Sequence, residues 1–288
     1  GSMRRKIAIV TDTTTDIPQE MAEEMGIFVA PLTLIIGGKP YRDKVDISSA
    51  EFYRMLPDLD PLPTTSGVNP DDFLEAYQKA LAEAESVICL TVAAALSMTF
   101  SSACSAREKL PQADITVVDS QTAVAGEALI ALAAARAAQE GKGKAEVLNL
   151  IHDLIPRVDV LLTADTLEYL HRGGRLTAPQ ALLGKLLGFR PILRLRDGKI
   201  VPIGRARSRR QSIAQLLTIM EGEVGQGKEI CAAIMHALAL EETMKLKDQV
   251  AERFRCRELH VLDDLGPVAG THLGPGTLGV GYYVCPTN

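Results

Sequence analysis

Along this chain, short apolar runs alternate with longer stretches in which apolar residues recur every three or four positions. Lys6 to Val10, Ile27 to Ile36, Ser86 to Val92, Ile115 to Val118 and Asp159 to Thr163 are rich in β-branched residues and too short for helices, so each predicts a strand. Between them, Asn69-Pro70-Asp71-Asp72 supplies an N-cap, a proline for the first helical position and acidic residues for the first turn. That predicts a helix running to about Glu85. The alanine-rich stretch from Val124 to Gln139, closed by Gly141, predicts another. Strands alternating with helices over residues 3–165 predict an α/β domain built on a doubly wound, mainly parallel sheet. Such sheets bind ligands beyond the carboxyl ends of their strands.

Beyond about residue 165 the pattern changes. Pro191 to Arg196 and Lys199 to Ile203 are joined by Asp197-Gly198, which reads as a β-hairpin. Ser208 to Gly222 predicts a helix, Glu229 to His236 a strand, Leu240 to Phe254 an amphipathic helix and Glu258 to Leu262 a strand. The expectation is a second, α+β domain over 166–288. No repeat or low-complexity linker marks the boundary, which is placed to no better than about ten residues, and segment exchange between the domains stays open. In the tail, Gly266 to Gly279, glycines and prolines crowd around His272. That composition predicts a stiff loop presenting backbone N–H groups and one titratable side chain, or, more plainly, a surface turn with a solvated histidine.

Composition narrows the function classes. At 288 residues the chain is long enough for two domains or one large α/β unit. It has no apolar run near the ~18–20 residues that span a bilayer, and no signal or Arg-rich transit pattern, so the expectation is a soluble cytoplasmic protein without a transmembrane segment. The five cysteines form no CxxC pair and read as reduced packing residues, so no metal site is expected. A formal charge of -5 disfavours nucleic acid. Arg205, Arg207, Arg209 and Arg210 nevertheless cluster just beyond Arg190, Arg194 and Arg196, and a basic patch on an acidic chain suggests an anionic ligand or an acidic partner.

Two hydroxyl clusters fall where an α/β domain would place a ligand. Pro63-Thr64-Thr65-Ser66-Gly67 precedes the helix capped by Asn69, and Ser97-Met98-Thr99 follows the strand ending near Val92. Hydroxyls beside the free N–H groups of a helix entry can bind a carboxylate or phosphate, and they serve equally as plain caps. No nucleophile elbow, P-loop, dinucleotide fingerprint, HExxH or spaced metal-ligand set is present. His152, His171, His236 and His260 are isolated and read as structural or surface residues. Thr11-Asp12-Thr13-Thr14-Thr15-Asp16, after the first strand, could hold a metal or phosphate or form a capped turn.

Taken together, six segments resemble the successive motifs of the DegV family of bacterial fatty-acid-binding proteins. They are Thr11 to Asp16, Pro63 to Ser66, Leu96 to Ala103, Thr166 to Arg175 with its Arg-Gly-Gly-Arg ending, Arg190 to Leu193, and Gly270 to Gly276. The resemblance covers essentially the whole chain in order. It implies two domains with one long-chain fatty acid at their interface, the tail in an apolar tunnel. It further implies a non-catalytic carrier without a cofactor, serving as the acyl-binding subunit of a bacterial fatty acid kinase for phospholipid metabolism. A separate ATP-using kinase subunit would then make the acyl phosphate. The family's carboxylate-binding residues match Thr65, Ser97 and His272, and its arginines for the kinase encounter match Arg172, Arg175 and Arg207.

The chain departs from the family where Ala93, Ala94 and Met98 replace two serines and a glycine and Phe100 replaces a tyrosine, which makes the wall beside Ser97 more apolar. Two other readings stay open at this level. One is a serine-type acyl hydrolase or thioesterase using Ser97 and His272; the other is a lipid-responsive regulator whose basic patch meets a partner.

Overall fold

A computed structural model describes residues 4–286. Among these residues the strands are β1 (Arg5–Asp12), β2 (Ile27–Ala30), β3 (Thr33–Ile36), β4 (Lys39–Arg42), β5 (Thr64–Ser66), β6 (Ala84–Thr91) and β7 (Asp114–Asp119). They continue with β8 (Asp159–Thr163), β9 (Arg190–Arg196), β10 (Lys199–Ala206), β11 (Glu229–His236), β12 (Arg255–Asp264) and β13 (Leu278–Val284).

The first half folds as its alternating pattern predicts, around a parallel sheet in the order β2-β1-β6-β7. The chain leaves β1 toward β2 on one side and returns to pair β6 with β1 on the other, so the carboxyl ends of β1 and β6 frame a crevice of the kind that admits ligands. Helix Pro70–Leu81 begins as expected, with the Asn69 side chain accepting from the Asp71 N–H. Helix Val124–Gln139 is apolar on nearly every face because it packs against β1 on one side and against β11 and β13 on the other. It is the slab between two sheets.

The second sheet runs β10-β9-β8-β13-β11-β12, antiparallel except for the β11–β12 pair. Together the two sheets make a mixed α/β fold with a parallel sheet and a separate, mostly antiparallel one. The hairpin turn Asp197-Gly198 has φ of 54° and 71°, the positive pair its residues favour. Strand β8, which the pattern grouped with residues 3–165, hydrogen-bonds between β9 and β13 in the second sheet. The run Ile27 to Ile36 is two strands in different sheets: Pro31 lacks the N–H a continuous ladder needs, and β3 turns away into a small sheet ordered β4-β3-β5.

The tail also differs from the expected loop. Pro267–Leu273 is a helix and β13 follows it directly. Pro267 occupies the first helical position, where its missing N–H costs nothing, Val268, Ala269 and Leu273 are buried, and Gly274 at φ 84° ends the helix. His272 therefore sits in the last turn of a buried helix.

Candidate ligand-binding site

A narrow cavity of about 70 Å³ lies between the two sheets. Its walls are apolar: Val92 and Val124 come from the parallel side, Leu162, Leu195 and Ile200 from β8, β9 and β10, and Leu273 from the tail helix. The polar groups that reach it are few: Thr14, Thr65, Ser97, Arg175 and His272. Thr65, Arg175 and His272 also line an outer chamber of about 330 Å³, together with Arg172, Tyr169 and Thr271. The three are thus shared between an apolar slot and a more polar antechamber, the layout that suits an amphipathic ligand.

The structure brings together Thr65, Ser97 and His272, each from a different element. Thr65 lies on β5 opposite Leu34 of β3, in a strand and not in a helix entry as its Ser/Thr-rich context suggested. Ser97 lies just ahead of helix Thr99–Glu108, where its Oγ accepts from the Thr99 N–H at 3.2 Å and pairs with Thr99 Oγ1 at 2.8 Å. The two loops meet at Gly67, where a Cβ would stand 2.8 Å from the Thr99 nitrogen, so only glycine allows this approach. Thr99 Oγ1 in turn accepts from the Val68 N–H at 3.3 Å. Thr99 is therefore the hinge pin of the site; it stood in the Ser97-Met98-Thr99 cluster, but nothing in its spacing marked it.

His272 Nε2 lies 2.7 Å from Thr65 Oγ1, while Nδ1 is buried without a partner among the described residues. Burial, and then the positive charge of Arg175, push the His272 pKa down to about 4, so the ring is neutral near pH 7. A neutral imidazole carries one proton. On Nδ1 it would be a buried, unpaired donor costing about 1–3 kcal/mol; on Nε2 it donates to Thr65. The Nε2–H form is favoured, and it leaves the Thr65 hydroxyl hydrogen free to donate to an anion. His272 thus acts through Thr65.

Arg175, expected on a partner-facing surface, is half-buried: Nε donates to the Leu96 carbonyl at 3.0 Å and Nη1 to the Gly173 carbonyl at 2.7 Å. It ties the segment after helix Glu168–Arg172 to the Ser97 loop, and its positive charge acts on His272. Arg172 is exposed and paired with Glu168 at 2.7 Å, and Arg207 is exposed, its backbone N–H donating to Gln211. Arg209 is spent on structure, holding Asp165 at 3.0 Å and Glu242 at 2.9 Å and touching the Gly276 carbonyl.

Thr14 carries a second polar network against the cavity wall. Its hydroxyl lies 2.5 Å from Asp12 Oδ1 and 2.6 Å from Glu127 Oε1, and Asp12 accepts from the backbone N–H groups of Thr14 and Val92. Burial raises both carboxyl pKa values, and the Asp12 charge raises Glu127 further, so Glu127 keeps its proton and shares it with Asp12. The Thr11 to Asp16 stretch is a capped turn. Among the described residues no group of three or more His, Cys, Asp or Glu could hold a metal, and no helix is long and apolar enough to cross a membrane. His236 is structural, its ring held between the Leu262 carbonyl and Asp264.

A model of the DegV family, described as uncharacterised proteins, matches residues 6–284. The chain belongs to the DegV family. Among solved structures, a DegV family protein from Thermus thermophilus described for its fatty acid binding is 34% identical, with a TM-score of 0.90 over 98% of this chain and 100% of that one. DegV of Bacillus subtilis, a fatty acid binding protein, is 30% identical with a TM-score of 0.83 over 98% of this chain and 100% of its own. A stearic acid-binding protein of Eubacterium ventriosum is 25% identical with a TM-score of 0.86 over 96% and 98%. The DegV resemblance of the six sequence motifs thus extends to the whole fold.

Proposed function

We propose that this protein binds one long-chain fatty acid, with the acyl chain in the slot between the sheets and the carboxylate at Thr65, Ser97 and His272. The observation that carries the reading is the junction itself: an apolar slot opens onto the Thr65–His272 pair at its boundary with a more polar chamber. The fatty acid binding of the Thermus and Bacillus relatives supports it. An ionised carboxylate leaving water needs donors, and it meets two hydroxyls and the Arg175 charge, with Nε2–H behind Thr65. Each buried methylene adds about 0.8 kcal/mol. At about 70 Å³ the slot is far smaller than the several hundred Å³ of an ordinary ligand pocket, so in this reading its walls part to admit the chain.

The carboxylate then faces the outer chamber, where a separate ATP-dependent kinase subunit reaches it. One carboxylate oxygen attacks the γ-phosphorus of ATP, the bond to the β-phosphate bridging oxygen breaks, and acyl phosphate and ADP result. The exposed Arg172 and Arg207 are the charges that steer this encounter. In this reading the chain is a carrier that catalyses no step of its own. An acyl hydrolase using Ser97 and His272 is disfavoured: Ser97 Oγ is engaged with Thr99, His272 Nε2 with Thr65, and His272 Nδ1 has no acidic partner among the described residues.

The test is calorimetric titration of delipidated protein with palmitate and with methyl palmitate. The acid should bind saturably at one site and the ester, lacking the charge, at least about tenfold more weakly. Equal binding of acid and ester, or binding of neither, would refute the assignment of the head-group end.

A further inference from the structure

Between the two arginines of the Arg172-Gly173-Gly174-Arg175 motif stand two glycines with opposite surroundings. Gly174 has φ 71°, the left-handed region that favours glycine, and open space where a side chain would project. Gly173 has φ -77°, which any residue adopts, yet a Cβ there would overlap His272 Nδ1, by far its tightest contact, and stand 3.1 Å from Cε1 and from the Tyr169 carbonyl oxygen. The backbone does not need glycine at 173. His272 does.

We propose that Gly173 is a positioning residue for His272: its bare Cα closes over the Nδ1 edge of the ring, denies that nitrogen a partner, and so keeps the proton on Nε2, where it serves Thr65. Nδ1 is buried and unpartnered among the described residues, and the Gly173 N–H is already committed to the Tyr169 carbonyl at 2.9 Å, so it cannot turn toward the ring. The segment is braced on both sides. A Cβ on Gly274 would meet the Tyr169 ring at 2.8 Å from Cε2, so the helix carrying Tyr169 lies tight against the end of the tail helix. Arg175 Nη1 holds the Gly173 carbonyl at 2.7 Å while its Nε holds Leu96 at 3.0 Å, and its charge is the one that acts on the ring. With both flanks fixed, a methyl at 173 is accommodated by rotating the His272 ring, and the 2.7 Å contact to Thr65 breaks. The hydroxyl then loses the donor that orients it, and Nδ1 gains room for water.

Only the ligand arm of the test rests on the fatty-acid reading. Imidazole nitrogen shifts of His272 are followed by NMR across pH in the native chain, in Gly173→Ala and in Gly174→Ala, and palmitate affinity is measured for all three. The native ring should show the Nε2–H tautomer and titrate near 4. Gly173→Ala should mix the tautomers, move the titration toward the ordinary histidine value of about 6.5 and weaken palmitate about tenfold or more. Gly174→Ala should lower thermal stability through its strained backbone and leave the His272 signature unchanged. A native ring with its proton on Nδ1 overturns the proposal whatever the variants do, as does a Gly173→Ala protein with the native signature, or both variants shifting His272 alike. If Gly173→Ala alone shifts the tautomer while no form binds palmitate, the fatty-acid reading fails and the role of Gly173 stands.

Discussion

If His272 serves the ligand through the Thr65 hydroxyl, the two residues are one unit and their deletions cannot add. Thr65→Val keeps the β-branched shape on β5 and removes the donor; the side chain is only half-buried, so the strand and the fold should survive. A hydrogen bond to a charged acceptor contributes about 1.5–3 kcal/mol, so palmitate should bind roughly 10- to 150-fold more weakly at about 1.4 kcal/mol per decade. His272→Phe keeps a ring in the buried site and removes the 2.7 Å contact to Thr65 Oγ1. It frees the hydroxyl to wander without deleting it, and should cost less, about 1 kcal/mol. The double variant should then bind about as weakly as Thr65→Val alone, giving a coupling energy near the whole cost of His272→Phe. The assay is a displacement titration of a fluorescent fatty-acid analogue, with thermal midpoints recorded for each protein. Strictly additive losses would refute the relay and mean that His272 contacts the carboxylate independently.

Three further outcomes follow from the same geometry. Ser97→Ala removes a hydroxyl that bonds Thr99 and lines the cavity, and should weaken palmitate by about 1–3 kcal/mol and lower stability by about 1 kcal/mol; native-like binding with lowered stability would make it a cap alone. Ala123→Leu fills the buried cavity wall, and should cost about 1–3 kcal/mol of stability by overpacking and depress binding of long acyl chains far more than of short ones; equal loss across chain lengths, read by calorimetry, would place the tail elsewhere. Glu127 has its pKa raised by burial and by Asp12, so the folded state takes up a proton that the unfolded chain releases above about pH 4.5, and stability falls as pH rises from there toward the raised value. Glu127→Gln should remove that proton and flatten the stability–pH slope by about 1.4 kcal/mol per pH unit over this window, in urea melts taken from pH 5 upward; an unchanged slope would show Glu127 ionised in the fold.

Much of this fold was legible in the pattern of apolar positions. The strands that became β1, β6, β7, β11 and β12, the Asn69-capped helix and the Asp197-Gly198 hairpin are local signals whose physics is complete within a few residues. What escaped was decided by distant partners. Pro31 splits one apolar run because the two halves find different sheets, and β8 joins the second sheet because β9 and β13 offer its edges. The tail helix was hidden by its glycines, of which Gly270 is small because the Tyr53 ring packs against it. In the site, Thr65, Ser97 and His272 stood out as hydroxyls and a histidine in unusual settings, and they line one cavity. Their connections did not stand out: Thr99 as the pin between loops, Arg175 as a tie to Leu96, and Gly173 over Nδ1 are contacts between residues far apart in the chain, with no composition or spacing to announce them.

The central claim is tested most directly by identifying what the folded protein carries. Protein purified from a bacterial host without added lipid should be extracted with denaturing organic solvent and the extract analysed by mass spectrometry against a protein standard. The account predicts a long-chain fatty acid at close to one molecule per chain, sharply reduced in Thr65→Val protein prepared alongside. An extract with no fatty acid, or one in which a nucleotide or sugar phosphate takes its place, would contradict it.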